Sequence, residues 1–203
     1  MATQYSSIAK EFSASRYRTW PKVNEFIECI DKTKKSHLEL GCGNGKNMLR
    51  YKELGFNISG IDNCEEFIEI CKERDINVYL KDIKDLSSFE DESYDSIICI
   101  AVIHHLKLYQ DRINVINETI RMLKKGGKSM FMVWAVEQPE KSRRKFKHGD
   151  NIVTWKKHDS TIYERYYYIY KKGELEKEFI NRDDINVQVS YDYGNHIMVI
   201  TKL

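Results

Sequence analysis

Residues 37–47 read His-Leu-Glu-Leu-Gly-Cys-Gly-Asn-Gly-Lys-Asn, with glycines alternating at Gly41, Gly43 and Gly45. Glycine carries no Cβ and reaches φ > 0 without strain, so such a loop lets backbone come close to a ligand. An apolar, strand-like lead-in ends at Glu39 and Leu40, and a helical pattern begins after Gly45. Strand, glycine turn and helix N-terminus together make a nucleotide-type cofactor site. In such sites an acid about 20 residues further on binds ribose hydroxyls, and Asp62 stands there. Asp82, followed by Ile83, closes the next apolar run. A lone glycine loop is as readily a tight turn. Acids at the ends of the next two strands turn the reading to a bound cofactor, and so to an enzyme.

The elements that position these residues follow from periodicity. Met48, Leu49 and Leu54 fit a helix after the loop, and Phe56 to Ile61 a second strand ending at Asp62. Cys64, Phe67, Ile68 and Cys71 recur at helical spacing, and Ile76 to Leu80 is a third strand. Ile97 to Ile103 is an unbroken apolar run, as expected of a parallel strand buried on both faces. Ile113, Ile116, Ile120 and Leu123 share one helical face, Gly126-Gly127 is expected to stop that helix, and Met130 to Trp134 is a fifth strand. Strands alternating with helices imply an α/β fold with a parallel sheet. The last third changes character. Thr161–Tyr170 and Val187–Tyr191 read as strands around a helix near Glu174–Phe179, and Tyr193-Gly194-Asn195 as a hairpin turn into a strand at Ile197–Leu203.

Composition bounds the rest. At 203 residues with no linker-like tract, one domain is expected. A formal net charge of +2 is too small to argue by itself for a nucleic-acid partner. Five cysteines form no C-x-x-C pair, which suits a reducing compartment. No run approaches the roughly 20 apolar residues of a membrane span, and the N-terminus has no apolar signal core, so a cytoplasmic or nuclear location and no membrane partner are expected.

The third glycine of a dinucleotide G-x-G-x-x-G fingerprint would fall at Lys46 and falls at Gly45 instead. The G-x-G-x-G spacing with Glu39 upstream resembles the S-adenosylmethionine (SAM) loop of Rossmann-like class I methyltransferases. Residues 94–105 (Tyr-Asp-Ser-Ile-Ile-Cys-Ile-Ala-Val-Ile-His-His), 133–138 (Val-Trp-Ala-Val-Glu-Gln) and 8–21, which include Arg16, narrow the match, as do segments 150–155, 165–167, 173–175 and 193–195. The set resembles the eukaryotic wobble-uridine tRNA methyltransferases that make 5-methoxycarbonylmethyluridine, and it spans nearly the whole chain. The chain departs from that pattern at Glu39, where Asp is usual, at Thr154, Tyr168 and His196, and in a short connection between Gln138 and Asp150.

The resemblance implies a mostly parallel seven-stranded sheet ending in an antiparallel hairpin strand. It divides the single domain 1–203 into an N-terminal helical lid (1–35), a SAM-binding core (36–135) and a substrate-side loop with C-terminal strands (136–203). It implies SAM contacts at Glu39, Gly41, Cys42, Gly43, Gly45, Asp62, Asp82, Ile83 and Ala101. The acceptor it implies is the carboxymethyl group of wobble 5-carboxymethyluridine. A carboxylate of pKa about 4 is ionised at pH 7 and needs no general base, but it does need alignment and charge partners. Arginine forks pair with carboxylates bidentately, which makes Arg16 the first candidate and Arg165 the second, with Arg18 behind them. His104 and His105 follow the fourth strand, where one would touch the acceptor and at least one packs; no acid or cysteine cluster accompanies them, so no metal is expected.

Trp20 and Trp134 are candidates to stack on the base or to pack, and Tyr5, Phe12 and Tyr17 to form the lid. The basic run at 141–148, with Arg143, Arg144 and Lys145, and the nearby Lys156-Lys157-His158 would hold phosphates of a tRNA anticodon stem-loop. A small zinc-binding activator subunit is also implied, adding a strand at the third-strand edge. Rival readings are methyl transfer to a small carboxylic acid or another RNA position, and a non-catalytic binding subunit of the same fold.

Overall fold

The computed structural model describes residues 5–156 and 160–203. In chain order they form α1 (Ala9–Ser15), α2 (Pro21–Glu28), β1 (His37–Leu40), α3 (Lys46–Glu53), β2 (Ile58–Asp62), α4 (Glu65–Glu73), β3 (Val78–Leu80), β4 (Tyr94–Ile100), α5 (Tyr109–Met122), β5 (Leu123–Trp134), β6 (Gly149–Lys156), β7 (Ile162–Ile169), β8 (Ile185–Asp192) and β9 (Asn195–Lys202). Seven strands make one sheet in the order β3-β2-β1-β4-β5-β9-β8. The first five are parallel, and β9 and β8 run antiparallel. This is the class I methyltransferase topology expected from the sequence.

The apolar run on β4 is buried on both faces because its residues alternate between two layers. Ile97 and Cys99 join Val115, Ile116 and Ile120 of α5. Ile98 and Ile100 join Val23 and Ile27 of α2, Met48 and Tyr51 of α3, and Ile68 and Cys71 of α4. Thus α2 belongs to the core layer, and the stretch before it, from Tyr5 to Trp20, supplies the residues on the ligand side.

Several expected elements differ. The β4 strand stops at Ile100, since Ala101 turns to φ +60° and bends the chain toward the strand ends. The α5 helix ends at Met122 and not at the glycines. Gly126, at φ +73°, lies inside a long β5 whose register against β4 slips between Tyr94 and Ser96. Residues 174–179 form linked turns and no regular helix, with Phe179 buried as an anchor. A two-stranded ribbon, β6 with β7, stands apart from the sheet; only its second strand is legible from periodicity.

Asp95 ties the layers together at the N-terminal edge of β1 and β4. Its Oδ2 accepts the backbone N–H groups of Lys35 (3.0 Å) and Ser36 (3.1 Å) and the Lys124 ammonium (3.2 Å). Burial pushes the carboxyl up, but those amides and Lys124 outweigh it and hold it at about 2. A depressed folded-state pKa stabilises above the unfolded value of about 3.9 and is lost as pH falls through the folded value. Asp95→Asn is therefore expected to cost about 2 kcal/mol near neutral pH, with the difference closing as pH falls from about 4 toward about 2. Urea unfolding across that range checks it; a gap independent of pH would contradict it.

Candidate active site

The glycine loop closes by backbone bonds. Gly41 and Cys42 donate their N–H groups to the Ile61 carbonyl at 2.8 and 3.0 Å. Gly43 donates to Asp62 Oδ2 at 2.8 Å, while Asp62 Oδ1 accepts from Cys64 N–H at 2.9 Å. A Cβ on Gly41 would meet Val102 Cγ1 at 2.5 Å, so that glycine serves packing. Gly43, at φ +53°, would meet nothing within 4 Å; its open side belongs to the cavity. Gly45 is not in the cavity wall, and its Cβ would collide with Ile76.

The loop, the strand ends, the N-terminal helix and the β6–β7 ribbon enclose a cavity of about 530 Å³, within the usual size of small-molecule sites. Glu39, Asp62, Asp82, Ile83 and Ala101 all line it, as do Gly41 and Cys42. Glu39 is almost wholly buried. Its Oε1 accepts Asn47 Nδ2 at 2.6 Å, and its Oε2 has no partner. Burial pushes its carboxyl up to about 8 against the Asn47 bond. Lys46, which the spacing of the glycines does not single out, has its ammonium 4.9 Å from the Trp20 ring centre and is pushed down by burial. No carboxylate lies within 4 Å of it among the described residues. One end of the cavity therefore holds a carboxyl with one unpartnered oxygen and an ammonium, which feel each other's charge without forming an ion pair.

The other end holds guanidinium groups. Arg165, only 4 % exposed, donates from Nη1 to the hydroxyls of Tyr167 (2.8 Å) and Tyr5 (3.3 Å). Its Nε is buried without a partner. Arg16 lies 4.3 Å from the Phe12 ring centre and 4.6 Å from that of Trp155, and Arg165 lies 5.4 Å from the same indole. Burial, then the Arg165 charge, push the Arg16 guanidinium down. Arg144 sits 4.4 Å over Trp134. None of the three reaches a carboxylate among the described residues.

The histidines separate by their bonds. His105 Nδ1 lies 2.9 Å from the Tyr166 carbonyl, which only accepts, so Nδ1 carries the proton and Nε2 accepts the Tyr5 hydroxyl at 3.0 Å. Tyr167, 3.0 Å from Tyr5, then donates to it, and Arg165 donates to Tyr167. The chain of donors runs from Arg165 to the Tyr166 carbonyl. Burial pushes His105 down to about 4, so it is neutral at pH 7. His104 is fully buried, and its Nδ1 accepts the Trp134 N–H at 3.1 Å. It is the packing member of the pair.

Other sequence candidates fall elsewhere. Trp134 lines the cavity, but Tyr167 stacks on it at 4.2 Å and Phe146 at 5.4 Å. Trp20 lines the cavity, whereas Tyr17 is 70 % exposed and lies outside it. Arg18 sits over Tyr17, and Arg143 is exposed. Lys145 lines a separate groove. Lys157 and His158 lie outside the described residues. Trp155 and Tyr167 escape a reading of the sequence, although their two-residue spacing from Val153 and Arg165 puts each on the inner ribbon face.

Comparison with known proteins agrees with this geometry. A sequence model described as a methyltransferase domain matches residues 38–131. Solved structures of the same fold include the CcbJ methyltransferase from Streptomyces caelestis (TM-score 0.74, 14 % identity, 99 % of this chain and 98 % of that one). SAM-bound CalS10, an amino pentose methyltransferase from Micromonospora echinaspora, is similar at TM-score 0.70 and 12 % identity, covering 97 % of each chain. Fold and site thus define a SAM-dependent class I methyltransferase. A tRNA (carboxymethyluridine(34)-5-O)-methyltransferase of Schizosaccharomyces pombe is 31 % identical over 98 % of this chain and 94 % of its own length. A protein of the same name from Xenopus tropicalis is 29 % identical over 98 % of this chain, which spans only 40 % of that longer relative. The chain belongs to the family of tRNA (carboxymethyluridine(34)-5-O)-methyltransferases.

The unpartnered Glu39 oxygen and the Lys46 ammonium fit the cofactor, because SAM ends in an amino-acid zwitterion whose ammonium would draw the Glu39 carboxyl back to its ionised form and whose carboxylate would match Lys46. Gly43→Ala separates cofactor approach from folding. Its strain at positive φ is about 1–2 kcal/mol, so the fold is expected to persist while calorimetry shows SAM affinity reduced by about tenfold or more. Unchanged affinity would remove Gly43 from the cofactor wall.

Proposed function

We propose that this protein methylates the carboxylate of 5-carboxymethyluridine at the tRNA wobble position, giving the methyl ester. The observation that carries the reading is Arg165, a buried guanidinium with no acid and with its Nε edge unpartnered. Burying a charge without a partner is costly, and a carboxylate on the Nε–Nη2 fork answers that cost bidentately. Arg165 displaces Arg16 as first candidate, since Arg16 already lies against Phe12 and Trp155 and its Nη1 donates to Ser15 Oγ at 2.8 Å.

SAM supplies an electrophilic methyl on a sulfonium. Glu39 would hold the ammonium of the cofactor and Lys46 its carboxylate. Asp62 keeps lone pairs on both oxygens that would accept ribose hydroxyls, and Asp82 and Ile83 would hold the adenine. Arg165, supported by Tyr167 and Tyr5, fixes the acceptor anion. A carboxylate oxygen held by Arg165 would be the nucleophile for that methyl, with S-adenosylhomocysteine as the leaving group and the methyl ester as product. No proton moves. Neutral His105 holds Tyr5, and through it the lid, against the ribbon. Exclusion of water by Tyr5 and Phe12 keeps the arginine field strong.

Nucleoside mass spectrometry of tRNA lacking the ester, incubated with protein and SAM, tests this. Conversion of 5-carboxymethyluridine is expected. Arg165→Met is expected to lower kcat/KM by about 30-fold or more with SAM affinity little changed. An unchanged nucleoside would refute the substrate, and equal loss of SAM affinity would reassign Arg165 to the cofactor.

An activator subunit fits the β3 edge. Among the described residues that strand pairs only with β2, and it exposes Tyr79 (57 %) and Leu80 (53 %), the apolar edge that native sheets cover. A small zinc-binding partner adding a strand there, in the cytoplasm, completes the reading. Leu80→Arg is expected to abolish binding of such a subunit in gel filtration; retained binding would place it elsewhere. No helix among the described residues is long and apolar enough to cross a membrane.

A further inference from the structure

The loop between Pro139 and β6 is a ridge between two concavities. Arg144 and Phe146 turn inward over Trp134 on the methyl-transfer side. Lys145 and Lys147, the alternate residues, turn outward and line a shallow groove with Asp150, Asn151, Ile152 and Tyr166. The neighbouring β7 strand alternates in the same sense, with Arg165 and Tyr167 in the cavity and Tyr166 in the groove. The two concavities therefore share one wall, a single strand and a single loop thick.

The charges in this wall are unmatched. Elsewhere Lys22, Lys34, Arg50, Lys52, Arg121 and Arg182 all reach carboxylates. Among the described residues no basic side chain from 141 to 147 does so. The one acid of the groove, Asp150, accepts the Tyr166 hydroxyl at 2.6 Å, and it shares the groove with two lysines. Asn151 sets the shape of the ridge: its Nδ2 donates to the carbonyls of Lys147 and Gly149, each at 2.8 Å. Ile152, 59 % exposed beside the lysines, offers apolar surface to a sugar or base.

We infer that this outer groove seats the RNA backbone next to the acceptor nucleotide. Lys145 and Lys147 contact flanking phosphates, while Arg144 of the same loop faces the nucleotide in the cavity and Phe146 backs Trp134. The inference rests on the RNA-acceptor reading above. It goes further by dividing the basic loop into a backbone side and an acceptor side and by adding Ile152 and Tyr166 to the interface. A single strand crossing the ridge would leave one splayed-out nucleotide inside and its neighbours outside, the mode by which loops of RNA are read.

The test is fluorescence anisotropy of a labelled anticodon stem-loop carrying 5-carboxymethyluridine, titrated over a salt series. Each phosphate contact to a single strand contributes about 0.7 to the slope of log K against log salt. Lys145→Ala with Lys147→Ala is expected to reduce that slope by about 1.4 and the affinity by about tenfold or more at 0.1 M salt. SAM affinity, read by calorimetry, is expected to stay unchanged. Lys72→Ala with Lys125→Ala removes the same charge from exposed positions outside both concavities, and is expected to leave the slope alone. An unchanged slope in the first variant, an equal fall in both, or no RNA binding by the parent protein would overturn the groove. Lysine-dependent RNA binding without ester formation would support the groove and refute the acceptor.

Discussion

A guanidinium buried without an acid is the constraint around which the ligand side is organised. A buried cation without a counter-charge is expensive. The fold meets the cost in part with the hydroxyls of Tyr167 and Tyr5 and the ring of Trp155. Each of those groups has its own support. Trp134 stacks on Tyr167, His105 accepts the Tyr5 hydroxyl, and the β6–β7 ribbon stands off the sheet to carry Trp155, Arg165 and Tyr167 on one face. What these neutral groups do not supply is a counter-charge, and the acceptor anion does.

The cavity is thereby graded in charge. Glu39 and Lys46 occupy the end where the glycine loop meets α3, Arg16 lies next along, and Arg165 and Arg144 occupy the far end. Like charges couple along this row, as the depression of Arg16 by Arg165 shows. No titrating base is required, consistent with both histidines being held below their ordinary range by burial.

The cofactor half is legible in the sequence because its residues are local. Gly41, Gly43, Asp62 and Asp82 sit at strand ends that periodicity marks, and a parallel sheet brings strand ends together. The acceptor half is less so. Arg165 ranks behind Arg16 in the sequence, since relative burial is a tertiary property that neither segment carries by itself. Lys46 hides inside the motif, at the position where a dinucleotide fingerprint would place a glycine. Trp134 invites a stacking role, and its ring is already packed by Tyr167, Phe146 and Arg144, contacts between β5, β7 and a loop far apart in sequence. The β6 strand escapes because its pairing with β7 creates its inner face. The helix expected near 174–179 fails because its apolar residues, Leu175 and Phe179, anchor turns under the sheet edge.

The central claim is that Arg165 selects a negatively charged acceptor, and a ligand–variant cycle tests it most directly. Affinities would be measured for anticodon stem-loops carrying 5-carboxymethyluridine or its neutral amide, 5-carbamoylmethyluridine, with the parent protein and with Arg165→Met. The parent is expected to prefer the carboxylate by about tenfold or more, a coupling of about 1.4 kcal/mol, and the variant to lose that preference. Equal affinity of the parent for both RNAs, or a preference that survives the substitution, would contradict the account.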